Sequence, residues 1–299
     1  SIKNVNFEAF NDLLIQDVSL NFITDKSLTL INSINANYQG ILISNGSASL
    51  KEKKEIEGKF QTEFNLSEIE INKLFKKSNL IFLEKNKVNA QGTLTNKFSL
   101  KIDKNFKLID YDYKSIGNIS EARIVLKDNF KSSFIEKPIN KILISSTSLE
   151  INLNKKNNNL LKFDGLYNLG NLENKKFKIS YDLNKKNPKY LIDIDLAKNI
   201  FLKFLNFQTN YKKKSNVKSE IKLINDNLIF DYIKFTEDKN SIIINSLQLD
   251  SKNEIKSISS IDVQTFIENI ENNNFEISFK NKIFIKGKKY DSTNLLKQL

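Results

Sequence analysis

The chain closes on Phe275-Glu-Ile-Ser-Phe279, Lys280-Asn-Lys282, Ile283-Phe-Ile-Lys-Gly287, Lys288-Lys-Tyr-Asp291 and then Ser292-Thr-Asn-Leu-Leu-Lys-Gln-Leu299. Phe275, Ile277 and Phe279 alternate with Glu276 and Ser278. That period of two puts three apolar side chains on one face of a strand. Lys280, Asn281 and Lys282 form a polar turn, after which Ile283 and Ile285 resume the alternation until Gly287 interrupts it. Asp291 is placed to cap a short helix carrying Leu295, Leu296 and Leu299. The unit is strand, turn, strand, glycine, capped helix, and its apolar face needs a cover.

Working back, the same alternation recurs at Val18, Leu20 and Phe22, and at Phe98, Leu100 and Ile102. It returns at Phe177, Ile179, Tyr181 and Leu183, which the polar stretch Asn184 to Pro188 joins to Tyr190, Ile192, Ile194 and Leu196. This pair is the clearest hairpin. Ile221 and Leu223 face Leu228, Phe230 and Tyr232 across Asn225, Asp226 and Asn227. The chain reads as roughly twenty short strands separated by polar turns. Helical signals are few: residues 65–77, where Ser67 is the cap, Leu66, Ile69, Leu74 and Phe75 share a face and Ile71 falls off it; the closing Leu-rich stretch; and Phe201 to Phe207, either a short helix or a buried strand.

Strands without crossover helices predict an antiparallel sheet. The expected fold is mostly β: a long, curved, open, groove-like antiparallel sheet with two or three short helices. A closed β-sandwich is the alternative. The apolar face can be covered by a second sheet, by helices, which are too few, or by a ligand. The Lys/Asn run 154–159 is the best internal boundary, dividing residues 1–154 from 155–299 as two parts of one elongated groove. Glycines recur at strand leads, at Gly40, Gly58, Gly92, Gly165 and Gly287, as expected of bulges or bends in a curved sheet. A capped helix follows Gly58 and Gly287, suggesting two related units.

The net charge is +12, from 47 basic and 35 acidic residues. An anionic partner or a solvated Lys-rich surface both accommodate it. Arg123 is the only arginine, and arginine supplies the bidentate fork of specific nucleic-acid recognition, so no nucleic-acid partner is expected. Cys, His and Met are absent. This removes disulfides, thiolate metal sites and the usual general base, and no metal or cofactor is expected. The sequence begins at Ser1 without Met, so the expectation is a piece of a longer protein. Carboxylates pair at Asp193/Asp195, Asp110/Asp112 and Glu68/Glu70. A hydrolase could use such a couple. Asp193 and Asp195, however, alternate with Ile192 and Ile194 and belong to a solvated polar face. No phosphate loop, nucleophile elbow or zinc-protease motif is present, so no enzyme and no catalytic residue are expected.

The meandering strands, the strand-end glycines and the close of Gly287, Tyr290, Asp291, Leu295 and Leu296 resemble the AsmA-like proteins of the YhdP type. The resemblance is best from Phe163 to Leu299 and departs in its Lys/Asn richness. It implies a periplasmic β-groove anchored in the inner membrane of a Gram-negative bacterium by a segment outside this chain. It implies phospholipid as partner, with envelope proteins at the ends, and passive conduction of acyl chains between the two membranes. Phe177, Ile179, Tyr181, Ile192, Ile194, Phe275, Ile277, Phe279, Ile283 and Ile285 would then line the groove.

Overall fold

The computed structural model describes residues 1–9, 13–52, 54–68, 71, 86–105, 107–131, 135, 138–156, 159–170, 173–182, 188–210, 213–225, 227–252 and 254–293. Among the described residues, 18 strands hydrogen-bond into one antiparallel sheet that is not closed into a barrel, and two short strands pair only with each other. The open, mostly β expectation is therefore met, and the closed sandwich is not the fold. By compactness the chain divides into residues 1–127 with 141–165, and residues 128–140 with 166–299. This division falls close to the Lys/Asn run at 154–159 without coinciding with it.

The first unit holds β1 (Ile2–Ala9), β2 (Leu13–Thr24), β3 (Leu28–Tyr38), β4 (Ile41–Lys51), β5 (Glu55–Leu66), β6 (Asn86–Ile102), most of β7 (Leu108–Phe130) and β8 (Ile139–Asn154), and the start of β9 (Leu160–Asn168). From β1 to β7 each strand pairs antiparallel with the next in sequence. Alternation places Gly58, Phe98 and Tyr113 side by side, then Phe60, Asn96 and Ser115, then Thr62, Leu94 and Gly117. The expected bulge at Gly58 is instead a close-approach position. A Cβ there would lie 2.5 Å from the Phe98 ring, so only glycine lets that ring lie across the strand. Ile71 N donates to Ser67 O at 3.0 Å, the first helical turn after the expected cap. Ile71, which the helical count left off the apolar face, is buried. The rest of the 65–77 helix lies outside the described residues.

The second unit holds β10 (Lys175–Asp182), β11 (Lys189–Asp195), β12 (Phe201–Leu202), β13 (Phe207–Gln208), β14 (Ser215–Ile224), β15 (Asn227–Glu237), β16 (Asn240–Leu249), β17 (Ile255–Ser257), β18 (Ser260–Ile267), β19 (Ile270–Phe279) and β20 (Ile283–Lys289). Here β10, β11, β14, β15, β16, β18, β19 and β20 follow one another as an antiparallel ladder. The hairpin expected between Tyr181 and Tyr190 is present, and its rings stack at 4.1 Å and 4°. The Phe201 to Phe207 stretch is neither of the two expected elements alone. It is β12, a 3₁₀ turn over Lys203–Leu205, and β13, which pairs with β12 and not with the main ladder. The helix expected after Asp291 begins at Thr293, and Leu295, Leu296 and Leu299 lie outside the described residues.

Candidate functional site

Register turns the alternation of the second unit into rows, because side chains directly opposite across an antiparallel pair share a face. One row runs through Phe177, Ile194, Val217, Phe235, Ile242, Val263 and Phe275 and ends at Gly287. The next runs through Ile179, Ile192, Ser219, Ile233, Ile244, Ile261, Ile277 and Ile285. A third holds Tyr181, Tyr190, Ile221, Phe230 and Leu247, and the pair Phe279 and Ile283 continues it at the far end. All ten residues expected to line a groove fall on this one face. Sequence alternation alone could not bring them together, since it fixes faces strand by strand but not between strands.

The opposite face is polar. Lys178, Asp193, Lys218, Lys234, Ile243, Asp262, Glu276 and Lys286 lie opposite one another in turn. Lys218 pairs with Asp193 at 3.0 Å, Lys189 with Glu220 at 2.6 Å, and Lys222 with Asp231. Asn216 Nδ2 donates to both Asp193 and Asp195. Desolvation opposes ionisation of Asp193, but the bonds from Asn216 and Lys218 outweigh it and hold the carboxyl below its ordinary value. The two aspartates are thus hydrogen-bonded members of an ionic face, and Asp110 and Asp112 are exposed. Among the described residues no group of Asp and Glu is assembled to hold a metal ion.

The apolar face is covered unevenly. Phe177, Ile242, Val263 and Phe275 in the first row are buried, the second and third rows are half-buried, and on β20 Ile283 and Ile285 stand 66% and 71% exposed. Over the part of the first row from Phe235 to Phe275 the cover is β12, the 3₁₀ turn and β13, a strap of the chain itself, while Phe177 meets the Tyr167 ring edge-on. Leu205 and Phe207 pack with Ile242, Val263 and Phe275 into the core of the unit, and Leu202, Phe235, Ile261 and Ile277 surround it. Phe207 meets the Phe235 ring edge-on at 5.9 Å. Asn206 takes the left-handed φ of 47° that ends the turn, a conformation Asn tolerates better than most residues.

Polar side chains fasten the strap. Asn273 is fully buried, and its Nδ2 donates to the Leu205 carbonyl at 2.7 Å and to the Thr265 hydroxyl at 2.9 Å. Its Oδ1 accepts the Asp291 N–H at 2.9 Å. The Asp291 carboxylate accepts from Asn206 Nδ2 at 2.9 Å and from Thr293 N–H and hydroxyl at 3.0 and 2.5 Å. Those bonds, Thr293 first and then Asn206, pull its carboxyl down to about 2. The Tyr290 hydroxyl donates to the Phe204 carbonyl at 3.0 Å, and its ring meets Phe275 edge-on at 5.5 Å. Gly287, Tyr290 and Asp291 therefore sit together at the strap. The sequence offered a signal for the rest of the network. Asn273 and Thr265 occupy the apolar parity of their strands, in line with Phe275 and Val263, and lie directly opposite each other.

The first unit carries a smaller polar band on its own apolar parity. Asn96 is buried, accepts the Tyr113 hydroxyl at 2.7 Å and donates to the Thr62 hydroxyl at 3.3 Å. Burial raises the Tyr113 hydroxyl above its ordinary value. A depression of about 500 Å3 near Leu30, Ala48, Gly58 and Phe98 also has charged residues Glu57, Lys97 and Asp112 around it, so it does not continue an apolar surface.

Among the described residues no helix is long and apolar enough to cross a membrane. No protein-family model, curated protein or solved structure matches the chain.

Proposed function

We propose that the chain is a segment of an AsmA-like, YhdP-type envelope protein, and that the apolar face of its second unit binds phospholipid acyl chains and passes them between the inner and outer membranes. The observation that carries this is the pair of partly uncovered apolar rows crossing the ladder from β10 to β20, backed by a charged face. A soluble β-sheet ordinarily buries its apolar face against protein. Here the strap covers part of one row, and Ile179, Ile192, Ile233 and Ile244 of the next are only half-buried. Acyl chains laid along them gain ~25 cal/mol for each Å2 of apolar surface removed from water. Apolar side chains recur at nearly every strand, so a chain can slide along the rows without chemistry, cofactor or catalytic group. Head groups stay outside, where the turn lysines Lys280 and Lys282 meet phosphate. The periplasm, an inner-membrane anchor outside this chain and envelope proteins at its ends belong to the same proposal.

The test is native mass spectrometry with lipid extraction on protein expressed in bacteria and purified without detergent. More than one phospholipid per chain is the expected result. A lipid-free compact monomer overturns it and turns the search toward a protein partner.

A further inference from the structure

We infer that the strap over Phe201 to Gln208 is the built-in occupant of an acyl-chain subsite, and that the row beneath it, Phe235, Ile242, Val263 and Phe275, takes an acyl chain when the strap lifts. This rests on the lipid-binding proposal above and adds to it where a chain can lie and what admits it.

Three observations lead there. The strap belongs to the core chemically but not to the sheet. Its two short strands pair only with each other, so lifting it breaks no hydrogen bond of the main ladder. What it contributes is what a hydrocarbon chain would contribute: Leu202, Leu205 and Phe207 laid across an apolar row that adjoins the half-buried one beside it. Its turn is fastened by polar contacts, those of Asn206 with Asp291, of the Leu205 carbonyl with Asn273 and of the Phe204 carbonyl with Tyr290. A wall meant to be permanent needs no such latch, because burial of Leu205 and Phe207 already holds it. A latch of hydrogen bonds on an apolar strap gives a closed state that can be left and regained. Phe204, at the tip of the turn, is 53% exposed and free to enter a lipid phase first.

The experiment places a diazirine analogue of leucine at position 263, under the strap, or at position 244, in the uncovered row. Each is made in the natural background and in Asn206→Ala and Leu205→Ser, the first weakening the latch and the second the apolar seat. Proteins are irradiated with vesicles of phosphatidylethanolamine and phosphatidylglycerol, and strand content is checked by circular dichroism. The expected result is lipid adducts at 244 in every background. Adducts at 263 should be scarce in the natural background and rise about tenfold in Asn206→Ala, as losing a hydrogen bond to a charged group implies. Adducts at 244 but none at 263 in either variant make the strap a fixed wall and overturn the subsite. Equal adducts at 263 in all backgrounds overturn the latch. No adducts at either position overturn the lipid-binding proposal itself.

Discussion

Gly287 and Phe275 face each other across β19 and β20 so closely that a Cβ on Gly287 would lie 2.4 Å from the Cβ of Phe275. The missing side chain lets Phe275 close the first apolar row and meet Tyr290 edge-on. Gly287→Ala is therefore expected to push Phe275 off its seat and destabilise the unit by about 1–3 kcal/mol, the usual cost of overpacking. Urea unfolding checks this, and a change below ~0.5 kcal/mol would mean the two strands separate at no cost.

Asp291 predicts an acid-side dependence. Its folded-state value is depressed to about 2, so its stabilisation is complete above the unfolded value, roughly 3.9, and fades as pH falls toward 2. Asp291→Asn should be less stable than the natural chain at neutral pH, with the gap closing toward pH ~2. Thermal unfolding at several pH values reads it. A gap that stays constant down to pH ~2 means the carboxylate charge is not what the strap uses.

Glu237 predicts the opposite sign. It is buried, burial raises its carboxyl above the ordinary value, and the bond from Asn210 N–H at 3.0 Å opposes this only in part. A raised folded value gives stability that is whole at low pH and is lost as pH rises past it. Glu237→Gln keeps an acceptor for Asn210 and removes the buried charge. It should stabilise at neutral pH and make no difference at pH ~4 or below, a convergence that one series of melts would reveal.

The uncovered row should be sensitive to charge. Ile179→Asp or Ile244→Asp sets a carboxylate among half-buried isoleucines, whereas Lys234→Glu alters only the polar face. Losing the burial of one isoleucine, about 1.5–3 kcal/mol, should lower bound phospholipid about tenfold or more in the first two, with no change in the third. Extraction and quantification of lipid from the purified proteins decides. Equal loss in all three would place binding on charge rather than on the rows.

The strands were legible because a period of two is a local property. Phe177, Ile179 and Tyr181 declare a strand without reference to anything distant, and Asp193 with Asp195 declares its wet side. The strap was not legible. Phe201, Leu202, Phe204, Leu205 and Phe207 fit a helical spacing and an alternating one equally well, and what decides between them is an apolar row contributed by strands from Phe235 to Phe275. The glycines were legible in part: the register shifts at Gly92 and beside Gly287 are the expected bulges, but the close approach at two of them was hidden. Gly58 and Gly287 answer to a ring or a Cβ on the neighbouring strand, a pairing that only the register reveals. Asn273 and Thr265 were visible as polar residues at apolar parity, yet their meaning depended on the carbonyl of Leu205, far away in sequence.

Each member of a row comes from a different strand, so the length of a row is counted in strands rather than in residues. At about 4.8 Å per strand, the ladder from β10 to β20 reaches some 34 Å from its first strand to its last. Duplicating one hairpin adds a little under 10 Å and repeats the same two faces, with no other residue needing to change. A sheet built this way can be lengthened by copying, in the manner of planks added to a walkway.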